Sequence, residues 1–243
     1  MKRIICITGA ASGIGRDTAK RFAEMGDCVI ACDRDEAGLA ALQQEVGEAV
    51  LEPVVFDLRD RKSYTAVEDA MQKHGRLDVL VNSAGITSLT PMKDISEDEW
   101  DAIFDINLKG AFFMTRMLLP YLEKSDYASI VNLCSVAGFR GGVFSNFAYS
   151  TSKGAVNILT KNFAKLLAPQ KIRVNQVAPD VVLTPMVTSK GTPEMIEGAR
   201  KAVPLGELTE ACDVSAAIVY LAGPDARYIT GQTIHINGGN YIP

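Results

Sequence analysis

Ile4-Ile5-Cys6-Ile7-Thr8-Gly9-Ala10-Ala11-Ser12-Gly13-Ile14-Gly15 decides how this 243-residue chain folds. Its four leading apolar residues show no polar alternation, which reads as a strand buried on both faces in a parallel sheet. Gly9, Gly13 and Gly15 then form a turn, and the spacing predicts a helix from near Arg16. Strand, glycine turn and helix in that order let backbone amides approach a pyrophosphate at the positive end of the helix. The next apolar run, Cys28 to Cys32, ends at Asp33. An acidic residue is expected about 20 residues after such a turn, where it meets the adenosine ribose of a dinucleotide.

Further apolar runs follow at Val54-Val55-Phe56, Val79-Leu80-Val81, Ile130 to Leu133, Ile172 to Val177 and Thr233 to Ile236. Between them apolar residues recur at helical spacing, as in Ala19, Phe22, Ala23 before Gly26 and Val156, Leu159, Phe163, Leu166, Leu167 before Pro169. This alternation predicts an α/β fold: a Rossmann-type, doubly wound parallel sheet of about seven strands with helices on both faces. No repeat or linker divides the chain, so residues 1–243 are expected to form a single domain. Thr184 to Gly206 interrupts the rhythm with Pro185, Gly191, Pro193, Pro204 and Gly206. Its length suits a partly helical substrate lid better than an ordinary surface connection.

Composition narrows the partners. Hydrophobic residues make up 47% of the chain, charged residues 22%, and the formal net charge is -4. With an isoelectric point near 5.3 there is no basic field to attract nucleic acid or an anionic membrane. The run after Met1-Lys2-Arg3 is too short for a signal, and no stretch approaches the roughly 18 apolar residues of a membrane span. A cytoplasmic protein is therefore expected. The five cysteines (Cys6, Cys28, Cys32, Cys134, Cys212) include no C-x-x-C pair and read as reduced, small hydrophobes. With only His74 and His235 beside them, no metal site is expected.

Asp33 also addresses which dinucleotide binds. A carboxylate accepts hydrogen bonds from ribose hydroxyls and repels a 2′-phosphate, which favours NAD(H) over NADP(H). Arg34 and Arg16 point the other way if either guanidinium pairs with that phosphate, and are otherwise solvated surface charges. Tyr149-Ser150-Thr151-Ser152-Lys153 opens a predicted helix and places phenol and ammonium on one face. A phenol acting as a base near neutrality must fall from about 10 to about 7, a cost of about 4 kcal/mol. A unit charge at ~4 Å in an effective dielectric of ~20 supplies roughly that amount, so Lys153 is expected to lower the Tyr149 pKa.

The glycine turn, Asn82-Ser83-Ala84-Gly85 after the fourth strand, Asn107, Ser135, Tyr149 to Lys153, and Asn237-Gly238-Gly239 after the last strand stand in one order. In that order and spacing the chain resembles the short-chain dehydrogenase/reductase family over essentially its whole length. The resemblance implies Tyr149 as general acid/base and Lys153 lowering its pKa while holding the nicotinamide ribose. It implies Ser135 hydrogen-bonding the substrate oxygen and Asn107 supporting a water-linked proton relay. Cofactor contacts are implied at Gly9, Ser12, Gly13, Ile14, Gly15, Asp33 and Arg34, at Asp57 and Leu58 beside the adenine, and at Asn82, Ala84 and Gly85. Tyr149, Lys153, Pro179, Val182 and Thr184 complete that set. Taken without the resemblance, Asn82 and Asn107 also suit turns or caps, Ser135 a turn start and Asp57 a helix cap.

Two departures from the family pattern stand out: Ser83 in place of a second asparagine, and Asp180 after Pro179 where glycine is usual. Asp180 either binds a substrate hydroxyl or cation, or makes a local Asx-type bond. Ala137 to Phe147, with Phe139, Arg140, Val143, Phe144 and Phe147, lines a pocket or fills a subunit contact. Substrate contacts are expected at Ser135, Ala137, Phe144, Tyr149, Asp180 and Met186. The expected activity is hydride transfer between nicotinamide and a small secondary alcohol or ketone, in a homotetramer or homodimer. The alternatives are a catalytically silent nucleotide-binding protein of this fold, or a 3-oxoacyl thioester reductase using NADP(H). An epimerase or dehydratase of the longer relatives conflicts with the glycine spacing.

Overall fold

Seven apolar runs become seven strands of one parallel sheet: β1 (Ile4–Thr8), β2 (Cys28–Asp33), β3 (Leu51–Val55), β4 (Val79–Asn82), β5 (Ser129–Leu133), β6 (Arg173–Pro179) and β7 (Thr233–Ile236). Their order is β3-β2-β1-β4-β5-β6-β7. The computed structural model describes residues 2–141 and 147–243. Only β3 departs noticeably from its expected span. It starts three residues early and contains Pro53, a residue tolerated because β3 lies at the sheet edge.

The helices are α1 (Gly13–Glu24), α2 (Glu36–Val46), α3 (Tyr64–His74), α4 (Glu97–Phe104), α5 (Ala111–Leu122), α6 (Ala137–Arg140), α7 (Phe147–Leu167), α8 (Pro185–Thr188), α9 (Pro193–Ala202) and α10 (Ala211–Ala222). Helix α1 starts at Gly13, before the expected Arg16, so the last two glycines of the turn lie inside its first turn. That places their amides at the positive helix end.

Alternate strand residues face opposite layers. Cys6, Ile30, Leu80, Ile130 and Val174 pack with Val67 and Met71 of α3, Leu118 of α5 and Phe163 of α7. On the other face Ile5, Ile7, Val29, Val79 and Val131 pack with Phe22 of α1, Leu39 of α2 and Ile218 of α10. A fully buried side chain such as Phe22 contributes about 2–3 kcal/mol by burial alone. All strands run the same way, so their carboxyl ends meet along one edge. Neighbouring β1 and β4 leave in opposite directions there, opening the crevice in which such sheets bind ligands. Among the described residues no helix is long and apolar enough to cross a membrane.

Candidate active site

Backbone shape builds the first wall of this crevice. Gly9 takes φ 73, and a Cβ on it would stand 2.8 Å from the Ala84 Cα. The turn after β1 and the segment after β4 therefore approach each other only through a glycine. Gly9, Ser12, Gly13, Ile14 and Gly15 all line the cleft beneath the start of α1. Asp33 enters from the end of β2, its carboxylate accepting hydrogen bonds from the Ala11 amide at 3.0 Å and the Asp35 amide at 3.1 Å. Arg34 lies beside it on the cleft wall. Arg16 is turned elsewhere, donating to the Gly38 carbonyl at 3.2 Å and to Glu45 at 2.9 Å.

Asp57 and Leu58 line the same wall. The Asp57 carboxylate accepts from the Arg59 amide at 2.8 Å, a local turn of the Asx kind. Ala84 and Gly85 also face the cleft, whereas Asn82 does not behave as expected. Its amide group donates to Asn132 at 2.9 Å and to Thr115 at 3.2 Å, inside the buried layer between sheet and helices. A Cβ on Gly85 would reach within 3.2 Å of Asn107 Oδ1 and 3.5 Å of Lys153 Nζ.

Asn107 sits in a widened helical turn, Asp105–Gly110, with π-type bonding between α4 and α5. Such single widened turns recur at functional sites. Its side chain is committed: Oδ1 accepts from the Ile86 amide at 2.8 Å, and Nδ2 donates to the Ile86 carbonyl and the Ser152 hydroxyl, both at 3.0 Å. It stands behind the cleft wall and orders the segment after Gly85.

Ser135 follows β5 and hydrogen-bonds the side chain of Tyr149. Ser135 Oγ also accepts from the Ala137 amide at 3.2 Å. One helical turn beyond Tyr149, Lys153 is 3% exposed and donates from Nζ to the Leu133 carbonyl at 2.6 Å. The electrostatics correct the expected direction for the phenol. Loss of water pushes Tyr149 up to about 12, with the Ser135 hydrogen bond pulling the other way. Desolvation likewise pushes Lys153 down to about 8, opposed by its neighbour Cys134. For both groups burial is the largest cause and outweighs what opposes it, the Ser135 hydrogen bond at Tyr149 and Cys134 at Lys153.

Pro179, Val182, Thr184 and Met186 line the far wall, and Ala137 stands outside it. Val143 and Phe144 lie outside the described residues. Asp180 faces the cleft, and the bonds its side chain makes within the protein are long-range rather than a local Asx-type turn. Its carboxylate takes both Arg140 contacts at 3.1 Å and the Asn240 amide at 2.5 Å, a long-range tie between β6, α6 and the C-terminal segment. The excursion from Thr184 is partly helical, through α8 and α9. Between them Lys190 donates to the Thr87 carbonyl on the opposite side of the cleft mouth.

Sequence reasoning missed Phe56, Ile86, Ile106, Leu133 and Cys134 as lining residues. Their only signal was position at or just beyond a strand or helix end. Cys134 is more than a filler, since its Sγ donates to the Lys153 carbonyl at 3.2 Å. Glycines that leave room for a ligand's backbone approach, amides at the start of α1 and a fixed carboxylate after β2 together fit a dinucleotide.

The family model described as enoyl-(acyl carrier protein) reductase matches residues 9–240. The chain is 42% identical to a 3-oxoacyl-[acyl-carrier-protein] reductase, FabG, of Thermotoga maritima, over 99% of this chain and 98% of that one. It is 33% identical to a cyclopentanol dehydrogenase of Comamonas testosteroni, over 98% of this chain and 96% of the relative. Among solved structures, a 3-ketoacyl-(acyl-carrier-protein) reductase from Brucella melitensis complexed with NADH superposes with a TM-score of 0.92 at 35% identity, covering 99% of this chain and 98% of that one. The chain therefore belongs to the short-chain dehydrogenase/reductase family and is an oxidoreductase that works with a nicotinamide cofactor.

Proposed function

We propose that this oxidoreductase uses NAD(H) to interconvert a secondary alcohol and its ketone, with Tyr149 moving the hydroxyl proton. One observation carries the reading: the hydrogen-bonded Ser135 and Tyr149 side chains, with Lys153 beneath them, open into the same cleft as the Asp33 carboxylate. The cofactor would lie along Gly9 to Gly15, Asp33, Asp57 and Gly85, and when bound it supplies or accepts the hydride at the substrate carbon.

Ser135 and Tyr149 hold the substrate oxygen. In reduction Tyr149 gives its proton to that oxygen, and a phenol pushed up to about 12 arrives fully protonated at neutral pH. In oxidation the phenolate form accepts the hydroxyl proton. Lys153, cationic below about pH 8, stabilises the phenolate left after donation. At ~6 Å and an effective dielectric of ~20 that attraction is worth roughly 3 kcal/mol. Asn107 positions the segment after Gly85 and the Ser152 hydroxyl. The stretch from 184 to 206 acts as the lid, and the reading includes a single domain assembled as a homotetramer in the cytoplasm.

The second reading, a 3-oxoacyl thioester reductase using NADP(H), has two supports: the name of the Thermotoga relative and the position of Arg34 on the cleft wall. A panel of ethyl acetoacetate, acetoacetyl-coenzyme A and cyclopentanone, each with NADH and with NADPH, separates them by absorbance. NADH is expected to give at least about tenfold higher kcat/KM, or about 1.4 kcal/mol of discrimination. A clear NADPH preference with the thioester fastest would establish the second reading instead.

A further inference from the structure

A row of polar side chains crosses the apolar interior just below the cleft. Asn82 of β4, Asn132 of β5, Gln176 of β6 and Thr233 of β7 are successive register partners, so one level of the sheet is polar across four strands. Asn132, Gln176 and Thr160 of the covering helix α7 are each 1% exposed or less. Asn82 donates to Asn132 Oδ1 at 2.9 Å, and Asn132 Nδ2 donates to the Thr160 hydroxyl at 2.9 Å. The single Thr160 proton faces both Gln176 Oε1 at 3.2 Å and the Val156 carbonyl at 2.9 Å. Gln176 Nε2 in turn donates to Asn157 and Thr233, both at 2.7 Å.

Burying such groups gains little stability, because each hydrogen bond replaces one with water. What a paired row supplies is geometry. Apolar parallel strands and a helix can slide against one another at small cost, whereas displacing α7 here leaves several buried polar atoms unpaired at once. Thr160 lies two turns from Lys153 on the same helix, on the same face. The two residues grip adjacent positions of β5: Thr160 holds Asn132, and Lys153 holds the Leu133 carbonyl.

We infer that Thr160, with Asn132 and Gln176, is a positioning residue for catalysis: it fixes α7 against β5 so that Lys153 and Tyr149 meet Ser135. The inference rests on the catalytic reading above and extends it to side chains that touch neither substrate nor cofactor.

Thr160→Val removes the hydroxyl at nearly constant volume, and Thr160→Ser restores it. Two readouts apply to each variant: kcat and KM with NADH and the panel's fastest ketone, and the 13C NMR titration of Lys153, whose neighbours in the site are Cys134 and Tyr149. Thr160→Val is expected to lower kcat by about tenfold or more with KM for NADH within about twofold. Its Lys153 midpoint should rise by at least about half a pH unit as water reaches the ammonium. Thr160→Ser should recover both. A lower melting temperature with wild-type kcat and Lys153 titration overturns the inference. Should Thr160→Val not fold, Gln176→Met, one link further along the row, is judged by the same two readouts. If Tyr149→Phe retains turnover, the catalytic reading itself fails. If that variant is inactive while Thr160→Val matches wild type, only the positioning role fails.

Discussion

Lys153 Nζ is anchored to the Leu133 carbonyl at 2.6 Å, while the ring centroid of Tyr149 lies 5.8 Å away. The ammonium is thus tied to β5, where it lies over the Tyr149 ring. Because the group is buried, its pKa of about 8 lies below the ordinary 10.5. Between those values the unfolded chain binds a proton that the folded chain does not, so folding stability from this residue rises with pH. The penalty is complete below about pH 8. The window closes near pH 10, where the raised phenol of Tyr149 begins to act in the opposite direction. Urea unfolding at pH 7 and pH 10 checks this against Lys153→Met. The wild type should gain about 2 kcal/mol relative to the variant over that interval. A difference independent of pH contradicts the assignment.

Gly85 leaves little room for a side chain beside Asn107. An added methyl, 3.2 Å from Asn107 Oδ1, requires that side chain to give by a few tenths of an ångström while it holds the Ile86 backbone and Ser152. Gly85→Ala is expected to cost about 1–3 kcal/mol in stability and to lower kcat about tenfold or more. Calorimetry together with steady-state rates reads both, and a variant with wild-type values on both counts argues that the wall yields freely.

Asp33 sets the proposed cofactor preference. Asp33→Ser removes the charge that repels a 2′-phosphate and leaves Arg34 in place. The kcat/KM ratio of NADH over NADPH should fall at least about tenfold, or about 1.4 kcal/mol. An unchanged ratio assigns the selection to other residues.

Asp180 is engaged by Arg140 and Asn240, and we expect its role to be structural. With Arg140 partly exposed, its loss should cost about 1–2 kcal/mol, which lowers Tm by about 4 °C for a chain of this size. Asp180→Gly is expected to leave the ranking of substrates in the panel unchanged. A reordered ranking would restore Asp180 to substrate contact.

The sheet was legible in the sequence because each strand is a local apolar run, and the glycine turn with Asp33 placed the cleft at the strand ends. The start of β3 was hidden by Pro53, which argues against a strand until the edge position is known. The bonding partners of Asn82 and Asp180 were hidden for a different reason. Partners stand 50 and 60 residues away at Asn132 and Asn240, and only the tertiary fold brings them together. The direction of the Tyr149 pKa was equally beyond a pairwise argument. An i, i+4 spacing suggests a charge attraction, but not the burial that raises the phenol or the carbonyl that captures the ammonium.

Tyr149→Phe tests the central claim most directly, since it removes one oxygen and keeps the ring. Turnover of the panel's best ketone and the dissociation constant of NADH, read by fluorescence titration, should be measured on the same preparation. Turnover is expected to fall by about 10³-fold or more, about 4 kcal/mol of transition-state stabilisation, with NADH affinity within about threefold of wild type. Wild-type turnover in that variant would contradict the account.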